Sequence, residues 1–594
     1  MTAHQTVPGA LPEWDLSDLY PSYDSPAFIA DLEKAEADTL AFARDYEGKL
    51  KTADAATLAQ AFERFEALED LLGRIYSFAG LSFQADMSDE KGAQSYGNTQ
   101  SKLNDVTAHL IFFELELNEI EDDALAAMID AEPVLQRLKT WIEGARSFKP
   151  YQLAPDLEKL LHDKSQTGRQ AFNRLFDETM AGMTFEYGGA TRSVEEMLTL
   201  LSDSTPKVRA QAAHSLTEGF KAKLKTFTLI TNVLAKDKAI EDKWRGLPFP
   251  AMSRHLANHV EPEVVDALKD AVTGAYGSLS HRYYALKAKW MGMDQLNFWD
   301  RNAPLPKVKE RTIDWSEAQD TVLGAYRDFS PRLADVGQQF FDRPWIDAAL
   351  RPGKAPGAFS HGTVPSAHPY ILLNYLGKPR DVMTLAHELG HGVHQCLAAE
   401  QGPLMMHAPL TLAETASVFG EMLTFRALLR ATTDEAERRA LIASKVEDMI
   451  NTVVRQIAFY DFELRLHEAR KQGELTADDI GALWMAVQTE SLGPAIKLNE
   501  GYDVWWTYIP HFIHSPFYVY SYAFGDCLVN ALYGAYEEAH EGFAEKYLEL
   551  LKAGGSKKHS ELLAPFGLDA SDPAFWQRGL SVISGFIDEL EAME

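Results

Sequence analysis

The stretch Thr384-Leu385-Ala386-His387-Glu388-Leu389-Gly390-His391-Gly392-Val393-His394 decides the reading of this chain. Its apolar positions Leu385, Ala386, Leu389, Val393 and Leu397 surround most of a helix, which implies burial. His387 and His391 are four residues apart, so they share one helical face, with Glu388 beside them. Buried imidazoles and carboxylates need partners, and a metal ion satisfies all three at once. The spacing therefore predicts a metal helix over about 382 to 399, capped by Asp381 with Pro379 just outside.

A catalytic zinc usually takes three protein ligands and leaves a fourth position open. A metzincin would need Gly at 394 and His at 397, where this chain has His394 and Leu397. Downstream, Leu412 to Glu421 reads as a helix with apolar stretches, and its Glu414 is the candidate third ligand. Ser417 and Glu421 follow on roughly the same face, as partners that hydrogen-bond the ligands. His394 is open to two readings: a fourth ligand would exclude water, so a supporting or packing role is favoured. In this scheme Glu388 is the general base and the cofactor is one zinc ion per chain, chosen over cobalt or manganese by ligand type.

Outside this run the chain reads as helical. Amphipathic periodicity covers 26 to 49, 55 to 84, 89 to 116, 122 to 146, 155 to 180, 194 to 218, 222 to 242, 262 to 290 and 315 to 341. Strand signals are confined to Met183 to Tyr187, Phe359 to Gly362 and Pro369 to Tyr375. The last two precede the metal helix, so a short sheet beside the site is expected, with an edge strand able to hold a substrate backbone. A third feature is Ser515-Pro516, which reads as a cap and first helical position, placing Tyr518 and Tyr522 one turn apart.

These residues resemble the thimet oligopeptidase-like zinc metallopeptidases, in their oligoendopeptidase F branch. The resemblance is carried by Trp14 to Tyr20, Trp299-Asp300, Gly357 to Ser360, His368-Pro369, Ile371 to Tyr375, Thr384 to His391, Glu414 to Ser417 and Phe517 to Tyr522. It implies a predominantly α, two-lobed enzyme with a deep substrate channel and a small β-sheet beside the HExxH helix. It also implies a helical oligopeptidase-type domain over 1–200 and a catalytic domain over 201–594. The substrates it implies are short unstructured peptides, cut at internal bonds. By the same resemblance His511 and Tyr518 are catalytic candidates, and Tyr520, Tyr522, His514 and Phe359 are candidates for substrate contact. The tyrosine spacing departs from the thimet-type pattern, which leaves Tyr518, Tyr520 and Tyr522 in competition. Two rivals stand beside this reading: a dipeptide-releasing zinc carboxypeptidase, and a catalytically silent peptide-binding protein of the same fold.

At 594 residues the chain exceeds a single simple core. Its net charge of −30 excludes a nucleic-acid partner, because no basic stretch is present to neutralise phosphates. Two cysteines, Cys396 and Cys527, provide no disulfide framework and fit a reducing compartment. No apolar run approaches the roughly 20 residues that cross a bilayer, and the start of the chain has no basic segment followed by an apolar core. The expectation is a cytoplasmic peptidase with no membrane partner, a monomer or small homo-oligomer.

Overall fold

A computed structural model describes residues 11–305, 312–538 and 541–593. Helices dominate it. The expected segments appear, and where they divide, a local chemical cause is visible. The stretch 315 to 341 is two helices, Trp315–Phe329 and Pro331–Asp342, because Ser330 caps the second and Pro331 takes its first position. The stretch 262 to 290 contains a π-turn at Gly277–His281. Conversely, the predicted break between 218 and 222 is absent. A helix of 40 residues runs from Pro206 to Arg245 and ends on Gly246 in the left-handed conformation.

Seven short strands occur among the described residues: β1 (Thr184–Tyr187), β2 (Ala190–Ser193), β3 (Leu296–Asn297), β4 (Ile346–Asp347), β5 (Phe359–His361), β6 (Tyr370–Leu372) and β7 (Ile496–Lys497). β1 and β2 form a hairpin through Gly188 and Gly189, both at positive φ. β4, β6 and β5 form the expected sheet, with β6 central, parallel to β4 and antiparallel to β5. β5 is thus an edge strand. β3 and β7 pair in parallel as a separate ribbon.

The chain resolves into two compact units that each gather three separate segments. The first comprises Met1–Lys149, Glu310–Ala431 and Ala535–Leu568; the second comprises Pro150–Lys309, Thr432–Gly534 and Asp569–Glu594. The division at 1–200 and 201–594 concerns sequence modules and is distinct from this spatial one.

In the first unit, Phe42, Phe62, Phe65, Phe113 and Trp141 make one aromatic core among the N-terminal helices. A second core lies under the three-stranded sheet, where Leu385, Leu389 and Val393 of the HExxH helix are fully buried. The opening Trp14-Asp15 belongs to this core: Trp14 packs edge-on against Tyr370, and Asp15 donates its N–H to Pro344. The second unit is built on the 40-residue helix and on the helices Val454–Gln472, Ala477–Leu492 and Pro573–Ala592. Its centre is aromatic, with Phe220, Phe298, Trp484, Tyr502 and Trp505 in mutual contact.

Candidate metal centre

The HExxH helix spans Pro379–Ala398, starting earlier than its periodicity suggested. Pro379 is its first residue, where a missing N–H costs nothing. Asp381 is therefore not the cap. It sits in the first turn, and its carboxylate accepts the N–H groups of Leu376 and Lys378. Glu414 lies at a joint between a short helix, Leu410–Ala413, and a longer one, Thr415–Ala431. That joint breaks the single helix expected over 412 to 421.

His387, His391 and Glu414 converge, with one ligand atom from each lying within 4.8 Å of the others. One carboxylate oxygen of Glu414 stands 3.4 Å from His387 Nε2 and 3.5 Å from His391 Nε2. Ser417 Oγ donates to the same oxygen at 2.6 Å and holds it in place. On the far side of the His387 ring, Nδ1 faces Glu421 at 3.3 Å. Two imidazoles and one carboxylate, with a second carboxylate behind one imidazole, are a donor set that could hold a metal ion.

The electrostatics agree with a cation at this point. Burial pushes His387 down, but the hydrogen bond it donates to Glu421 and the charges of Glu414 and Glu388 lift its pKa to about 9. Burial takes His391 the other way, to about 4. The cluster holds more negative charge than its histidines neutralise, and a divalent ion on the two Nε2 atoms would replace that proton. Glu388 is 7 % exposed. Burial raises its pKa to about 7, opposed by His387 and by a backbone N–H that it accepts from Ser360 on β5. A carboxylate held near neutrality is suited to taking and returning one proton.

His394 is not brought into this group of ligands. It is buried, its pKa is pushed down to about 4 by burial, and it hydrogen-bonds the backbone of Leu551. Phe359 lies on the edge strand β5, with its ring 6.4 Å from that of Trp14.

In the second unit, His511 and Tyr522 are joined, Nε2 to hydroxyl, at 3.2 Å, and the ring of Tyr518 stacks 6.1 Å from His511. The route to this cluster differs from the expected one. Ser515 and Pro516 do not open a helix; the next helix is Tyr520–Glu538. Phe517 intervenes in the left-handed region at φ 61°, with its N–H given to the buried carboxylate of Glu463 at 2.8 Å. Tyr518 and Tyr522 meet through this bend, with rings 5.3 Å apart. Tyr520 leaves the competition: it is fully buried, and its hydroxyl lies 2.8 Å from Asn258 Nδ2 and 3.1 Å from His255 Nδ1. Its place is in the core rather than against substrate. His514 is tied through Nε2 to Asp177 at 2.8 Å.

Two residues that the motif reading passed over assemble the centre. At Gly390 a Cβ would stand 2.7 Å from Ser417 Cα and press on the Ala416 carbonyl, so the missing side chain lets the two ligand-bearing helices touch. Tyr326 donates its hydroxyl to the Ala386 carbonyl at 2.7 Å. A glycine inside an otherwise apolar helix was the available signal, since it costs about 1 kcal/mol relative to alanine and persists for a packing reason. Gly390→Ala is accordingly expected to destabilise: overpacking against backbone costs about 1–3 kcal/mol, more than the helix propensity returns. A lower apparent melting temperature with faster metal loss would bear this out, and a stabilised, metal-retaining variant would refute it.

Comparison with known proteins identifies the family. Residues 199–582 match the model of peptidase family M3, and residues 116–185 match the Oligopeptidase F model. The chain is 26% identical over 600 residues to oligopeptidase PepF of Bacillus subtilis, covering 98% of this chain and 87% of that protein. It is 26% identical over 591 residues to an oligoendopeptidase F homolog of Borreliella burgdorferi, covering 98% of each. Among solved structures, one from Chlamydophila abortus superposes with a TM-score of 0.86 at 22% identity, covering 98% of both chains. The oligoendopeptidase-F of Enterococcus faecium gives 0.69 at 20%, covering 96% of this chain and 99% of that one. The His387-Glu388-Leu389-Gly390-His391 helix and its Glu414 partner thus lie within the matched span, and the chain belongs to peptidase family M3 as a metallopeptidase, a hydrolase of peptide bonds, of the oligoendopeptidase F type.

Proposed function

We propose that this chain is a zinc-dependent endopeptidase that cuts internal bonds of short, unstructured peptides, with one ion held by His387, His391 and Glu414. The observation that carries the reading is the convergence of those three ligand atoms beside the buried carboxylate of Glu388. Zinc, when bound, polarises the scissile carbonyl and lowers the pKa of water to about 7. The chain's own part begins with Glu388, whose carboxylate accepts the proton of the attacking water and passes it to the leaving nitrogen. One residue serves both transfers, so no acyl-enzyme is required. Glu421 orients His387 through Nδ1, and Ser417 fixes the Glu414 oxygen. His511, Tyr518 and Tyr522 are proposed as hydrogen-bond donors to the developing oxyanion, on the family resemblance and on the contacts that gather the three side chains. Phe359 on β5 and His514 are proposed to contact the peptide.

No described helix is long and apolar enough to cross a membrane. We place the activity in the cytoplasm on the free thiols of Cys396 and Cys527.

The test uses purified protein and unstructured peptides of graded length, with chelator, then with zinc restored, and products identified by mass. Internal cuts that vanish on chelation and return with zinc are expected. Release of C-terminal dipeptides alone, or cleavage indifferent to chelator, would overturn the endopeptidase reading.

A further inference from the structure

Close to the His511 cluster, on which Arg455 acts electrostatically, the second unit contains a cavity of about 230 Å³ whose lining residues have no role in the chemistry proposed above. Two guanidinium groups line it, from Arg301 and Arg455, among the aromatic rings of Phe298, Trp299, Trp505 and Tyr508. Arg455 donates to the Tyr508 hydroxyl at 2.9 Å and lies over the Phe459 ring. Arg301 has the side chains of Tyr502, Tyr284 and Tyr508 about it, with Tyr502 in hydrogen-bonding reach. Neither arginine has a carboxylate at ion-pair distance among the described residues, and the Nε of each is buried without a hydrogen-bond partner.

The chain carries 87 acidic residues against 57 basic ones. Three other arginines of this unit are paired with carboxylates. Arg209, 1 % exposed, is paired with Asp300 at 2.8 Å, although Asp300 adjoins Arg301 in sequence. Arg465 holds Glu490 at 2.7 Å, and Arg245 holds Glu158 at 2.6 Å. A partly buried guanidinium without a counter-charge is costly, and its planar fork matches a carboxylate in two-pronged fashion. The space suits one amino-acid residue rather than a longer peptide.

We propose that the Arg301–Arg455 cavity binds a carboxylate-bearing molecule about the size of one residue, its carboxylate on the guanidinium groups and an apolar or aromatic portion on the surrounding rings. Two sources share that chemistry: the free C-terminal residue of a peptide, and a small organic acid. Binding is read without turnover, so this proposal stands or falls separately from the peptidase reading.

The experiment titrates the metal-loaded full chain with N-acetylphenylalanine, followed calorimetrically and by the fluorescence of Trp299 and Trp505. Saturable binding is expected, at least tenfold weaker for the corresponding primary amide. Arg301→Gln and Arg455→Gln should each weaken it at least tenfold, and Arg455→Lys, which keeps charge but loses the fork, should fail to restore it fully. Should Arg301→Gln not fold, Arg455→Gln alone decides. Acetate displacing the ligand at equal concentration would support the cavity and identify a small organic acid as the source; acetate failing to displace it would support it with a peptide end as the source. Equal binding of the amide, no saturable binding, or binding unchanged by the arginine variants would sink the proposal, the last being what a carboxylate on the metal would give.

Discussion

Glu388→Gln is expected to lower kcat by about 10²–10⁴-fold while the protein keeps its metal. The substitution is nearly isosteric, so the amide oxygen can still accept the Ser360 N–H that holds the side chain in the wild type. What it loses is a site that takes a proton and gives it back. His387, His391 and Glu414, whose ligand atoms converge, are untouched. Metal content by mass spectrometry and turnover of a short peptide, measured on the same preparation, separate the two effects. A fall in kcat with KM little changed fits a group acting only as the bond breaks. A metal-loaded variant with more than about a tenth of wild-type turnover would remove Glu388 from the role of base.

The parts of this centre that the sequence made legible are those that a single element determines. His387, Glu388 and His391 lie within five residues, and helical spacing alone puts the two imidazoles on one face. The same holds for the edge strand at Phe359–His361, which showed as a strand signal over Phe359 to Gly362 ahead of the helix. Parts that depend on two distant elements were harder to read. The bend at Phe517 rests on a carboxylate 54 residues earlier, Glu463, and no local pattern signals that a non-glycine residue will take positive φ there. The helix start at Ser515-Pro516 was therefore misplaced, and with it the turn-by-turn relation of Tyr518 and Tyr522. Tyr520 looked like its neighbours in sequence; burial between His255 and Asn258 distinguishes it, and that is a tertiary fact. Asp381 reads as a cap because Asp favours that position, but Pro379 fixes the helix start three residues earlier. The interleaving of two units, each drawn from three segments, has no counterpart in composition, since both units are helical and share one polar–apolar rhythm.

The second large effect separates the two glutamates on the Glu414 side of the site. Glu414 presents one oxygen to both Nε2 atoms, at 3.4 and 3.5 Å, whereas Glu421 faces Nδ1 of His387, the nitrogen pointing away from that focus. On the proposed assignment, removing Glu414 takes away one of three ligands, and removing Glu421 takes away the support of one imidazole. Glu421→Gln is expected to weaken metal affinity by about 10–100-fold and to regain activity when zinc is supplied in excess. Glu414→Ala should lose considerably more than that, emerging from dialysis without metal and without turnover. Its fold should hold, because Glu414 is partly exposed at a joint between helices and Gly390 still allows those helices to touch. Zinc titration against a competing chelator gives both affinities on one scale, with circular dichroism confirming helix content. The reverse order, in which Glu414→Ala keeps its metal and Glu421→Gln is stripped, would make Glu421 the ligand and would require the His387 ring to turn its Nδ1 toward the ion.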